Sequence, residues 1–154
     1  MSIERSVVVQ ASREHAFRVF TERIGTWWSP GMSIGSAPLQ TVAIEGREGG
    51  RWYERGADGS ECQWGRVLAW EPPARLVLAW QIDASWRYDP AFETRVEVRF
   101  VAEAPDRTRV ELEHRDLERY GADEERYRAQ IGSPGGWAAL LSGFAKEAEA
   151  ARVA

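Results

Sequence analysis

After a long series of strand-like segments, the chain closes on a stretch that sets Trp137, Leu140, Leu141, Phe144 and Ala148 on one stripe. These positions recur at three- and four-residue intervals, so one helix face is apolar while Lys146, Glu147 and Glu149 point away from it. The order constrains the fold more than either part does. A single amphipathic helix that follows many antiparallel strands lies across their sheet, because no other segment offers enough apolar surface to cover it. Ser133 and Pro134 are predicted to supply its N-cap and first helical residue. The helix is expected to run to about Ala151, roughly 25 Å at 1.5 Å per residue.

Upstream, residues 3–9 alternate in β-branched side chains and lead to Ser12, a predicted cap for a helix whose apolar positions are Ala16, Phe17, Phe20 and Ile24. A bend near 21–25 divides this region into two short helices, and Trp27-Trp28-Ser29-Pro30-Gly31 ends it. The Gly, Ser and Pro content of 31–40 predicts an irregular loop, a candidate flap. Strands are predicted at 41–45, 50–55, 61–71, 75–82, 92–101 and 108–116; hairpin-length connections between the first four predict antiparallel pairing. Strict alternation places Leu76, Leu78, Trp80 and Ile82 on the core face, followed by Thr94, Val96, Val98 and Phe100, then Val110, Leu112, His114 and Asp116. The opposite face carries Glu93, Arg95, Glu97, Arg99, Arg109, Glu111, Glu113 and Arg115, so one side of the sheet is wet. The stretch 83–90, with Trp86, Arg87 and Tyr88, is read as a rim loop, and a short helix is expected at 123–130.

At 154 residues the chain is expected to form a single domain, 1–154, with one core. A net charge of −4 with Arg and Glu interspersed provides no basic footprint for nucleic acid. No apolar run approaches the roughly 20 residues of a membrane span, and the N-terminus has no signal-like apolar core. With Cys62 as the single cysteine, a reducing, cytoplasmic location is expected. His15, His114 and Cys62 lack metal-site spacing, so neither metal nor cofactor is expected. The unusual number is eight tryptophans, beside four tyrosines and five phenylalanines. Such rings either fill a core or line a cavity for apolar, ring-containing molecules.

Several pieces, in order, carry a resemblance: Trp27-Trp28, Gly49-Gly50-Arg51-Trp52, the run 65–73 from Gly65 to Pro72-Pro73 leading to Arg75-Leu76-Val77, and Gly135-Gly136-Trp137 with Leu140 and Leu141. Their order resembles the START-like (SRPBCC, birch-pollen-allergen-like) superfamily, in the branch of homologues of the activator of the 90-kDa heat-shock-protein ATPase. The resemblance implies an α+β helix-grip fold. A curved antiparallel sheet of about seven strands wraps a long C-terminal helix, with two short helices after the first strand and an apolar cavity between sheet and helix. Relatives with this fold hold lipids, polyketides or other hydrophobic ligands. No counterpart of the extra N-terminal domain of the eukaryotic activators is expected, so the branch name implies shared fold more than shared partner.

Three functional readings follow. The first is binding of a small hydrophobic lipid-, polyketide- or aromatic-type ligand between sheet and C-terminal helix, by Trp27, Trp28, Trp80, Phe92, Val98, Leu112, His114, Trp137, Leu141 and Phe144. The second is a cyclase or dehydratase using His114 assisted by Asp116, since an imidazole in an apolar pocket can move protons near neutral pH. The competing role for that pair is structural, a hydrogen-bonded core histidine. Glu54 is a further candidate if Trp52 faces inward. The third is a protein-interaction, co-chaperone-like module, with outward Val77 and Ala79 or the Trp86 loop as the candidate homodimer surface.

Overall fold

The computed structural model describes residues 2–150. Strand β1 (Ile3–Val9) leads to helices α1 (Arg13–Thr21) and α2 (Ile24–Trp27). Six strands follow: β2 (Leu39–Ile44), β3 (Arg51–Gly56), β4 (Glu61–Glu71), β5 (Arg75–Trp80), β6 (Thr94–Ala104) and β7 (Arg107–Arg115). A 3-10 segment (Leu117–Asp123), helix α3 (Glu124–Ile131) and helix α4 (Trp137–Ala150) complete the chain. All neighbours pair antiparallel in the order β1-β7-β6-β5-β4-β3-β2, so the first strand joins the last and the sheet curls around α4. This is an α+β helix-grip fold. Helix α4 packs against β1, α1 and α2, and its buried residues are Trp137, Leu140, Leu141, Phe144 and Ala148, the stripe read from sequence.

Local signals account for most of the boundaries. The Ser12 hydroxyl accepts from the His15 backbone N–H at 3.2 Å and caps α1. The His15 ring meets the Ala148 carbonyl at 3.0 Å and ties α1 to α4. Two expectations need correction. Helix α4 does not begin at Ser133 and Pro134: the Ser133 carbonyl accepts from Gly136 in a turn, and the Gly136 carbonyl accepts the first helical bond, from Leu140. The predicted end near Ala151 lies outside the described residues. Strand β6 starts at Thr94, because the Phe92 N–H bonds back to the Asp89 carbonyl and turns the chain there.

Strand β4 departs from simple alternation. Trp52 pairs with Gly65 while Tyr53 pairs with Gln63, so Trp64 is an extra residue that bulges inward, and both Trp64 and Gly65 are buried. A Cβ on Gly65 would lie 1.7 Å from the Ala79 carbonyl oxygen, so this position admits glycine alone.

The outer face also departs from expectation. Val77 and Ala79 retain 4% and 0% exposure, because β5 is central and the side chains of its neighbours cover it. Trp86 stacks on Tyr127 at 4.8 Å and donates to Gln130 at 3.3 Å. Val77 and Ala79 therefore offer no dimer surface, and the Trp86 ring is already engaged within the chain. No helix among the described residues is long and apolar enough to cross a membrane.

Candidate functional site

The concave face of the sheet gathers indoles from five elements. Trp28 follows α2, Trp52 comes from β3, Trp64 from β4, Trp80 from β5 and Trp137 from the first turn of α4. Four of them close a cycle with ring centroids at 6.1 Å (Trp28–Trp52), 5.6 Å (Trp52–Trp80), 5.6 Å (Trp80–Trp137) and 6.0 Å (Trp137–Trp28). Interplanar angles around the cycle are 86°, 65°, 60° and 87°, so positive ring edges meet negative ring faces throughout. Trp64 seals one side, 5.1 Å from Trp28 and 5.4 Å from Trp52.

Behind Trp80 and Trp137 sits His114, with 0% exposure. The Trp137 Nε1–H donates to His114 Nδ1 at 3.1 Å, and His114 Nε2 lies 2.8 Å from Thr94 Oγ1. An indole nitrogen only donates, so Nδ1 is the acceptor and the proton of the neutral ring sits on Nε2. The Thr94 hydroxyl then donates to the Trp80 carbonyl at 3.2 Å. Burial, reinforced by the Arg128 charge, lowers the His114 pKa to about 3. The ring is neutral, satisfied at both nitrogens and closed to solvent, so in this geometry it serves as a strut and not as an acid or base.

Further along this polar seam, Trp80 Nε1 donates to the Tyr127 hydroxyl at 3.0 Å, and the Tyr120 hydroxyl donates to the Ile82 carbonyl at 2.7 Å. The two tyrosine rings stack at 3.9 Å. Burial raises both phenol pKa values, that of Tyr127 to about 12.

Glu54 shares the inner face of β3 with Trp52 and retains 1% exposure. Its carboxylate accepts from Trp64 Nε1 at 2.9 Å and from the backbone N–H groups of Ile34 and Gly35 at 2.6 and 3.2 Å. The last two belong to the loop between α2 and β2, which Trp28 also grips by donating from Nε1 to the Met32 carbonyl at 2.8 Å. The segment read as a flap is therefore latched over the indole cycle by one carboxylate and one indole.

Of the residues singled out from sequence, the fold brings together Trp28, Trp80, His114 and Trp137. Trp27 and Phe144 belong to a neighbouring aromatic group with Phe20, and Trp27 donates to the Val19 carbonyl at 3.0 Å. Val98 and Leu112 face each other across β6 and β7 at mid-sheet. Leu141 lies on the flank of α4, beside a surface groove shared with Val7 of β1. Phe92 is half-buried at the rim, on Tyr120 at 4.7 Å. The expected pairing of Asp116 with His114 is corrected. Strand β7 ends at Arg115, and Asp116 takes a left-handed conformation (φ 67°), which breaks the alternation that placed both on one face. Sequence reasoning missed Trp52 as a ligand-facing candidate and Trp64 altogether. A bulge leaves no period-two signal, and only the adjacent glycine, Gly65, marks it. Among the described residues no group of three or more His, Cys, Asp or Glu side chains is placed to hold a metal ion.

Fold and interior together define a helix-grip domain of the START-like class whose concave face is built from tryptophan. The family model described as activator of Hsp90 ATPase homolog 1-like protein matches residues 10–149, and the chain belongs to that family. Among solved structures it is similar to an anthrahydroquino-gamma-pyrone synthase, Txn09, at 40% identity over 94% of this chain and 95% of that one, with a TM-score of 0.67. It is also similar to CalC, a self-sacrificing resistance protein from Micromonospora echinospora, at 30% identity over 99% and 96% of the two chains, with a TM-score of 0.69. No curated protein matches.

Proposed function

We propose that the protein binds a small hydrophobic molecule built on fused or linked rings, against the concave face of the sheet beneath α4, where Trp28, Trp52, Trp64, Trp80 and Trp137 meet. The cycle of indoles carries this reading. A core needing only to exclude water is filled well by Leu, Ile and Val, which bring no polar atoms; indoles bring flat faces suited to stacking on another ring system, each with a donor to satisfy. The likeness to a synthase of a fused-ring pyrone supports the same ligand chemistry. In the structure the rings touch one another, so a ligand enters by parting them, and Trp28 is the corner that sits at a helix end beside the latched loop.

A second reading, cyclisation of the bound molecule, is supported by the same synthase. It would run without His114 as proton carrier for as long as both ring nitrogens stay engaged.

Native mass spectrometry and calorimetry across polycyclic aromatics, polyketides and lipids test the proposal. The expected result is a one-to-one complex with ring compounds, quenched tryptophan emission, and affinity reduced about tenfold or more by Trp28→Ala. Unchanged emission and no complex with any ring compound at saturating concentration would refute it.

A further inference from the structure

The buried tryptophans divide unequally by what their indole N–H groups do. Trp27, Trp28, Trp64, Trp80 and Trp137 donate to the Val19 carbonyl, the Met32 carbonyl, Glu54, the Tyr127 hydroxyl and His114 respectively. Trp52 is the exception. Its ring has 0% exposure, is packed among Trp28, Trp64 and Trp80, and its Nε1–H has no acceptor. A buried donor without a partner carries the full cost of its lost hydration, and a protein that satisfies five neighbouring indoles leaves the sixth open where something else completes it.

The wall around that donor also selects by charge. Glu54 lies two residues along the same face of β3, and His114, behind the neighbouring Trp80, is neutral. The cation closest in effect to His114, Arg128, is engaged by Glu124 at 2.9 Å. An anionic ligand would meet the Glu54 carboxylate, whereas a neutral oxygen meets the open N–H of Trp52.

We infer that Trp52 sets ligand specificity: its Nε1–H donates to a neutral carbonyl oxygen on the ring system, so the site takes quinones, pyrones and aryl ketones and rejects carboxylates such as fatty acids. This rests on the reading that ring compounds bind in the indole cycle. It adds to that reading the donor atom and the acceptor class.

The test compares 2-(hydroxymethyl)anthraquinone with 2-(hydroxymethyl)anthracene, which share a three-ring frame and differ in the carbonyls, and uses palmitate as the anionic arm. Calorimetry on the whole chain should give the anthraquinone an affinity about 5- to 30-fold above the anthracene, the range of one buried hydrogen bond, with no binding of palmitate at the same concentrations. Trp52→Phe should bring the ratio of the two affinities close to one. In the unsubstituted protein, labelled at the indole nitrogens, the Trp52 N–H proton signal should move downfield with the anthraquinone and not with the anthracene, which keeps the test decisive if the variant folds poorly. A ratio near one in the unsubstituted protein, a preference that survives Trp52→Phe, or a Trp52 signal that responds alike to both would overturn the role of Trp52 while leaving ring binding intact. Binding of palmitate as tightly as the anthraquinone would overturn the selection against anions. If neither ring compound binds, the underlying reading falls, and this inference with it.

Discussion

At the scale of single residues, His114 shows a titratable side chain spent on architecture. Its pKa is about 3 in the folded chain against 6.5 as the ordinary value. The folded state therefore refuses a proton that the unfolded chain accepts below about pH 6.5. The stability held by the neutral ring is complete above that pH and is lost as pH falls toward 3, at up to about 1.4 kcal/mol per pH unit. Denaturant titrations between pH 7 and 4 should show this slope, and His114→Gln should flatten it. The indoles yield a second expectation. Trp80→Phe and Trp137→Phe remove the indole donor from the Tyr127 hydroxyl and from His114 Nδ1 and should each cost about 1–3 kcal/mol more than Trp52→Phe, which removes no such bond. Equal losses of stability for all three in chemical unfolding would contradict that ranking.

Among the elements, β3 and β4 organise the site, and here the sequence was least readable. Alternation in β5, β6 and β7 put Trp80, Thr94 and His114 on the inner face from the residue pattern alone, and the helical stripe identified every buried residue of α4. The bulge at Trp64 removes the periodicity that such reasoning depends on, so the facing of β4 had to come from pairing with β3. Asp116 failed for a related reason: a single left-handed residue ends the strand, and no side-chain pattern announces it. The hydrogen bonds of Glu54 to backbone N–H groups were likewise invisible, since those partners lie 19 and 20 positions away in a loop. Two expectations belong to these elements. Gly65→Ala forces a methyl into the Ala79 carbonyl and should destabilise by more than about 3 kcal/mol in chemical unfolding. Glu54→Ala should raise amide hydrogen exchange at Ile34 and Gly35 by tenfold or more, with little change in the strands β6 and β7.

The whole molecule has two unlike sides. Inside the curl lies the indole cluster; outside, a lattice of ion pairs runs over the wet face, with Glu97 at its centre. Its carboxylate bonds Arg75 at 2.7 Å and Arg115 at 2.6 Å, with Arg99 at 3.4 Å. Burial raises its pKa, but the arginines outweigh burial and bring it to about 2 from 4.5. This contribution is present above about pH 4.5 and disappears as pH falls through 2, below most of the His114 window. Because the arginines are about a third exposed, a value of roughly 1–2 kcal/mol is expected. Glu97→Gln should remove that amount at pH 7, and the loss should shrink below pH 4 in matched acid titrations. Across the interior, Trp28 is at once a corner of the indole cycle and the residue that holds the Met32 carbonyl. Moving that one ring would free the loop and open the indole cycle in a single motion, so on the proposed reading guest uptake and excursions of the loop run on one shared clock.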